Sequence, residues 1–93
     1  MREEQVFTKR GRLEIMFAIL SLCNNTPSKK THVMYKCNLS FKQLDMYLKF
    51  LTNLGFLEVV DEDNYLTTEK GREFIKGYQH IKKLFNPTTP FSR

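Results

Sequence analysis

The third helical pattern of this chain has a recognisable start and a recognisable end in the sequence. These two ends limit where the other helices and strands can lie. Ser40 is followed three residues later by Gln43, which is the capping-box pattern that begins a helix. Gly55 stands where the end of a helix favours a left-handed residue. We therefore predict a helix over about residues 41–54, and the other elements must precede or follow it.

Two helical patterns precede this helix. The first begins at Lys9 and stops at the segment 24–28, where Pro27 disfavours helix. The second covers 29–37, with Ser28 as its predicted N-cap. Because so few residues around Asn38-Leu39 separate the second and third helices, the pair has the form of a helix-turn-helix. The predicted buried face of the first helix, at helical spacing, is Leu13, Met16, Phe17, Leu20 and Cys23.

After Gly55 the pattern changes from helix to strand. Residues 56–60 and 65–67 are β-branched and aromatic enough for two strands, and 61–64 form the turn, with Asn64 or Asp63 suited to a positive φ. Thr68 then caps a last helix that ends before Pro87. The predicted order is α-α-α-β-β-α, a mainly α chain with a small β-hairpin, which is the winged helix-turn-helix arrangement. A generic three-helix bundle does not explain the hairpin followed by a capped helix.

These elements predict a single domain with short extensions, since 93 residues are too few for two average domains. The predicted parts are an arm over 1–8, a winged core over 9–67 with its wing at about 56–67, a last helix over 68–86 and a tail over 87–93.

Charge is concentrated in the first half of the chain. Residues 1–50 hold nine basic and four acidic side chains, net +5, and residues 51–93 hold six of each. A one-sided basic balance is what a phosphate-binding surface needs, because each neutralised phosphate releases counterions. An ordinary solvated basic surface is the alternative.

The third helix divides into an apolar face and a polar face. Leu44, Tyr47, Leu48, Leu51 and Leu54 lie on one side. The opposite side is predicted to meet DNA, with Lys42 and Gln43 reading base edges and the later residues contacting phosphate. A plain amphipathic helix would also have a polar outer face. The predicted DNA-contacting residues of this helix and its cap are Ser40, Lys42, Gln43, Met46, Lys49 and Asn53.

The start of the second helix supplies a second predicted contact. Helix N-terminal amides, short hydroxyls and lysines together form a phosphate site. In contrast, the wing tip carries Asp61, Glu62 and Asp63, which would repel phosphate, so we expect the wing to stay off DNA or to contact a protein. The predicted phosphate contacts are Lys29, Lys30, Thr31 and His32.

At this point the sequence resembles a known family. The segments Thr31-His32-Val33-Met34-Tyr35, Asn38-Leu39-Ser40-Phe41 and Thr68-Glu69-Lys70-Gly71 are similar to those of small archaeal winged-helix DNA-binding proteins of the Sulfolobus ten-kilodalton chromatin-protein type. The resemblance, from about residue 12 to 85, implies DNA binding and a homodimer held by the last helix as an antiparallel coiled coil. Gly77 and the helix end near Pro87 depart from this pattern, as does Thr67, where the family tends to have an apolar residue.

The last helix carries an apolar stripe spaced for a partner helix, at intervals of four, three and four residues. We therefore predict that a second copy of the chain packs against it. The predicted dimer contacts are Phe74, Ile75, Tyr78, Ile81 and Phe85.

Several classes of protein are not expected. The longest apolar run, Ile15 to Leu20, is six residues, far short of the roughly 20 a membrane helix needs. With no secretory pattern at the start, we expect the cytoplasm and association with the nucleoid. The sequence offers no nucleophile–base pair or glycine loop, so we expect neither an enzyme, a cofactor nor a small-molecule substrate. Cys23 and Cys37 are expected as buried thiols, with an intrachain disulfide as the alternative and no metal site.

Two functions remain open. The first is a double-stranded DNA-binding protein, a dimeric archaeal or archaeal-virus transcription regulator or architectural protein that reads the major groove with the third helix. The alternative is a winged-helix protein-interaction module without DNA binding, because a fold does not fix a function. The acidic wing and the apolar last helix motivate that alternative.

Overall fold

Residues 11–85 of the computed structural model form four helices and a small antiparallel sheet of three strands. The predicted arm, Lys9 and Arg10 at the start of the first helix, and the tail lie outside the described residues. The elements are α1 Arg12–Leu22, β1 Ser28–Lys29, α2 Lys30–Cys37, α3 Phe41–Asn53, β2 Leu57–Val60, β3 Asn64–Thr67 and α4 Glu69–Leu84.

The predicted ends of α3 and the predicted start of α4 are confirmed. The Ser40 hydroxyl accepts a hydrogen bond from the backbone N–H of Gln43, and the Gln43 side chain accepts one from the backbone N–H of Ser40. Gly55 has a φ of +83°, as a left-handed residue after a helix does. The Thr68 hydroxyl caps α4 by accepting from the backbone N–H of Gly71. The fold is the predicted winged helix, and α3 runs as predicted.

The start of α2 differs from the prediction. Ser28 does not cap the helix: it lies in β1, buried, and pairs with Tyr65 of β3. The N-cap position belongs to Lys29, whose side chain makes no capping hydrogen bond. The physical reason is that Ser28 and Lys29 complete a third strand of the sheet, in the order β1-β3-β2, which satisfies their backbone groups instead of a cap.

The buried face of α1 also differs. Leu13 is 56% exposed, whereas Ile15 and Ile19, outside the predicted stripe, are in the core. The reason is that α1 contacts both α2 and α4 and so buries a broad surface, with the Phe17 ring tilted against the Tyr78 ring at 4.7 Å between their centroids. A helix covered on two sides does not follow a single-stripe pattern.

The wing turn places its left-handed residue two to three positions earlier than expected. Asn64 already belongs to β3 and pairs with Val60, so the turn consists of residues 61–63. The positive φ, +57°, falls on Asp61 rather than on Asp63 or Asn64. Aspartate tolerates this conformation better than most residues because its short polar side chain bonds locally.

The hydrophobic core joins all the helices to the sheet. Both cysteines are buried in it and no disulfide joins them, and burial raises the pKa of Cys23 to about 11. The core residues are Ile15, Met16, Ile19, Leu20, Cys23, Val33, Cys37, Leu39, Leu44, Tyr47, Leu48, Leu51, Leu57 and Ile75.

Candidate nucleic-acid interface

The outward face of α3 carries the side chains that the sequence predicted to meet DNA. Its inward face buries Leu44, Tyr47, Leu48 and Leu51, which fixes the rotation of the helix about its axis. Among the described residues, the opposite side is therefore exposed. The predicted residues that lie exposed on it are Lys42, Met46, Lys49 and Asn53.

Ser40 and Gln43, also predicted to read DNA, are both used by the helix cap. The Gln43 Oε1 atom accepts from the Ser40 backbone N–H at 3.0 Å. Bidentate pairing with adenine needs the oxygen and the nitrogen of the amide together. Gln43 can therefore pair with adenine in that way only by giving up half of the capping box, whereas its NH₂ group remains a donor.

An ion-pair cluster joins α2 to α3. One carboxylate oxygen of Asp45 lies 3.1 Å from the Lys30 Nζ atom, and the other lies 3.3 Å from the Lys49 Nζ atom. The Lys30 ammonium also lies over the Phe41 ring, 4.6 Å from its centroid. Hydrogen bonds from both lysines hold the pKa of Asp45 below its usual value. Two of the predicted DNA-contacting cations thus already have an anionic partner.

Sequence reasoning could find only half of this cluster. Asp45 and Lys49 stand four residues apart in one helix, a spacing that brings side chains together. Lys30 lies fifteen residues away in the chain, and only the packing of α2 against α3 brings it to Asp45.

The other predicted phosphate contacts surround an open hollow between α2 and the wing. Lys29, Thr31 and His32 are exposed and line it, together with Asn64 of β3. The hollow has a volume of about 900 Å³. Tyr35, which the sequence analysis did not select, also lines it and is 85% exposed. An exposed tyrosine beside lysines is suited to a phosphate, because its hydroxyl donates a hydrogen bond.

A second, apolar stripe runs along α3 beside the polar one. Met46, Phe50 and Leu54 are 54%, 47% and 36% exposed. The prediction had placed Leu54 with the buried face, but it stands at the end of the helix beyond the core. Arg12 of α1 borders the first part of this stripe, where a small cavity of about 100 Å³ lies.

The predicted dimer contacts of α4 divide into two groups. Ile75 is in the core of the protomer, so we remove it from the proposed contact. Phe74 and Tyr78 are half-buried by ring contacts within the protomer. Ile81 and Phe85 are 55% and 73% exposed, and Leu84 beside them is 60% exposed. Every residue from 79 to 85 is exposed, so the last two turns of α4 extend past the core.

The part of the chain that the structure describes, residues 11–85, contains no group of three metal-binding side chains. Its helices are all too short or too polar to cross a bilayer.

Comparisons with known proteins agree with this geometry. The model of a family described as winged helix-turn-helix matches residues 9–86. The crystal structure of Sso10a-2, a DNA-binding protein from Sulfolobus solfataricus, superposes with a TM-score of 0.71 at 31% identity and covers 81% of each chain. The multiple antibiotic-resistance repressor MarR from Listeria monocytogenes shares the fold alone. Its TM-score is 0.62 at 15% identity, over 82% of this chain and 60% of that one.

Two related sequences come from the archaeon Methanocaldococcus jannaschii. The uncharacterized protein MJ0287 is 27% identical over 78 residues, which are 84% of this chain and 79% of that protein. The uncharacterized protein MJ0290 is 32% identical over 79 residues, which are 85% of this chain. The match spans only 37% of MJ0290, so that relative has a large part without a counterpart here.

Proposed function

This chain belongs to the winged helix-turn-helix family, and from that premise we propose that it binds double-stranded DNA as a homodimer, with α3 in the major groove. It acts there as a regulator or architectural protein on archaeal or archaeal-virus DNA, without catalysis, in the cytoplasm at the nucleoid. The fold is that of DNA-binding regulators, and the similar protein Sso10a-2 is itself described as DNA-binding.

One observation carries the proposal: the exposed polar stripe of α3. A helix-turn-helix protein presents its second helix to the major groove, with the N-terminal half reaching the base edges. Lys42 lies in that half, fully outside the core, and no other described side chain forms an ion pair with it. Lys42 is therefore the proposed base-reading cation, because an ammonium can meet the acceptors of guanine.

The start of α2 supports the same docking. Lys29 and Thr31 are exposed there, and backbone N–H groups at the beginning of a helix attract phosphate. These contacts fix the register of the protein on the duplex without reading its sequence. The acidic turn of the wing, at residues 61–63, would repel the backbone, so we propose that the wing stays off DNA.

The projecting end of α4 supports the homodimer. Ile81, Leu84 and Phe85 expose large apolar side chains on two helical turns that cover no part of the protomer's core. Burying such side chains against an equivalent helix stabilises association by about 25 cal/mol per Å². A two-fold dimer would present two α3 helices to half-sites separated by about a multiple of one turn of DNA.

The test is a salt titration of binding to a random-sequence duplex by fluorescence anisotropy. The test variant is Lys29→Ala/Lys42→Ala, which removes two cations of the proposed face that pair with no acidic group among residues 11–85. The control is Lys76→Ala/Lys83→Ala, which removes the same charge from the polar side of α4. We expect the slope of log K against log salt to shrink by about one to two in the test variant and to stay unchanged in the control. If the test and control variants gave the same slope of log K against log salt, the DNA would bind to a surface other than the proposed face.

The alternative function is a protein-interaction module, and the apolar stripe of α3 is the observation that favours it. Met46 and Phe50 are half-exposed on the very helix proposed to read DNA. If wild-type protein fails to bind any duplex at about 20 mM salt, where electrostatic attraction is strongest, this stripe becomes the first candidate for a protein contact.

A further inference from the structure

We propose that Asp45 restrains non-specific DNA binding by holding Lys30 and Lys49 away from the phosphate backbone. The inference rests on the proposed function and concerns the same face. Asp45 thereby lowers the sequence-independent affinity for DNA. Because specificity is the ratio of specific to non-specific affinity, Asp45 raises specificity without contacting a base.

The geometry places Asp45 between the two lysines. Its two oxygens lie 3.1 Å from the Lys30 Nζ atom and 3.3 Å from the Lys49 Nζ atom, so each oxygen binds one cation. Three charged groups thereby carry a net charge of only +1. Since non-specific affinity grows with the number of phosphates neutralised, a carboxylate in this position lowers that number.

Lys30 is held more firmly than Lys49. The Lys30 side chain is only 25% exposed, and its ammonium lies between the carboxylate and the Phe41 ring. A cation in contact with both groups loses attraction from each if it turns towards DNA. The Lys49 side chain is 75% exposed, and exposed ion pairs are weak, so a phosphate competes for Lys49 more easily.

Lys42 provides the internal contrast. It lies on the same face of the same helix, and none of the described acidic groups pairs with it. If Asp45 restrains its partners, removing the charge of Lys42 must weaken DNA binding more than removing the charge of Lys49.

The first experiment measures binding of a random-sequence 30-base-pair duplex by anisotropy between about 50 and 200 mM salt. Asp45→Asn keeps the shape of the side chain and removes its charge. We expect binding to tighten about three- to tenfold and the log–log slope to steepen by about one to two, as one or two lysines reach phosphate. Asp45→Glu keeps the charge and should bind as the wild type does.

A matched control separates this effect from net charge. Glu73→Gln changes the net charge by the same amount as Asp45→Asn does. Glu73 lies on α4, which packs against α1 and not against the outward face of α3. We expect less than about a twofold change in affinity and no change in slope, because a remote exposed charge is screened. If Glu73→Gln tightens binding as much as Asp45→Asn does, the proposal is overturned.

A second comparison does not depend on how Asp45 variants fold. Lys42→Met and Lys49→Met remove one exposed cation each, and we expect Lys42→Met to weaken binding several-fold more. Equal losses would overturn the proposal, as would Asp45→Asn binding no tighter than the wild type. Either result leaves the proposed function intact, because the wild type still binds. If the wild type itself binds no duplex at about 20 mM salt, both the proposed function and this inference fail.

Discussion

Thr67 is the side chain that ties the wing to the first helix. It is 1% exposed, its hydroxyl donates to the Leu20 carbonyl at 2.7 Å, and its backbone N–H donates to the Cys23 carbonyl at 2.9 Å. These carbonyls belong to the last turn of α1 and the residue after it, where helical partners run out. Thr67 therefore satisfies an acceptor that an apolar side chain at this position would leave without this donor.

The first prediction removes that hydrogen bond. Thr67→Val keeps the shape and should lower the free energy of unfolding by about 1–2 kcal/mol, because the buried Leu20 carbonyl loses its donor. Thr52→Val is the control, since Thr52 donates to the Leu48 carbonyl within α3 and is only half-buried. We expect Thr52→Val to lower the free energy of unfolding by less than about 0.5 kcal/mol. Urea denaturation measures both, and equal losses would show that the contact to α1 has no special weight.

The second prediction concerns the pH dependence of stability. Burial raises the pKa of Cys23 to about 11 from a reference value of 9.0. The unfolded chain therefore loses this proton first as the pH rises, so the contribution of Cys23 is fully present below about pH 9 and is lost between pH 9 and 11. Chemical denaturation should show a shallower decline in Cys23→Ala than in the wild type over that range. If the free energy of unfolding declined equally with pH in both proteins, ionisation of Cys23 would not be the cause of the decline.

At the scale of elements, the sequence predicted those whose signals are local. α3 and α4 begin with side chains that cap their own backbone, so four residues suffice to place each start. β1 was missed because a two-residue strand exists only through pairing with β3, far along the chain. The buried face of α1 was misplaced for a related reason: which residues it buries depends on α2 and α4 together.

The candidate site divides in the same way. The outward position of Lys42 and Lys49 follows from the helical period of α3 and was predictable. The pairing of Lys30 with Asp45 follows from how α2 packs on α3, and no pattern within either helix indicates it. The sequence therefore predicts which charged side chains of α3 are exposed, but not that Asp45 pairs with a lysine of another helix.

Gly71 supplies the third prediction, because α4 can approach the sheet only where a side chain is missing. A Cβ atom on Gly71 would lie 2.4 Å from the Phe56 carbonyl oxygen, and that oxygen already accepts from the Thr68 backbone N–H. Gly71→Ala should therefore destabilise the fold by about 1–3 kcal/mol, the range seen for overpacking. Thermal unfolding followed by circular dichroism measures the change.

Gly77, in the same helix, is the matched control. A Cβ atom there meets no atom within 4 Å in the described protomer, so Gly77→Ala should stabilise α4 by up to about 1 kcal/mol through helix propensity. If Gly71→Ala were as harmless as Gly77→Ala, the close approach of α4 to the Phe56 carbonyl would not constrain the fold.

At the scale of the whole molecule, the basic excess and the projecting apolar end of the last helix lie in different halves of the chain. The basic excess belongs to the first half of the chain, which contains α2 and α3, whereas the projecting end of α4 exposes Ile81, Leu84 and Phe85. A molecule of this kind has one surface for a polyanion and a separate surface for a hydrophobic partner. The two proposals, DNA binding and self-association, are therefore testable independently.

The fourth prediction tests self-association at the end of α4. Ile81→Lys places a charge within the exposed apolar group, where burial against a second copy would require its desolvation. Gln79→Lys adds the same charge to an exposed position that lies outside that group. We expect sedimentation velocity at micromolar concentration to give a dimer for the wild type and Gln79→Lys, and a monomer for Ile81→Lys. Because Ile81 is 55% exposed in the protomer, its replacement should leave the unfolding of the monomer nearly unchanged.

The DNA-binding consequence of that variant connects the two surfaces. A monomer brings one α3 helix to the duplex instead of two, so the salt slope of Ile81→Lys should be about half that of the wild type, even though no residue of the DNA face has changed. A wild-type protein that sediments as a monomer would reject the dimer. If Ile81→Lys remains dimeric, the dimer interface lies on another surface. If Ile81→Lys is monomeric and its salt slope is unchanged, each protomer binds DNA alone.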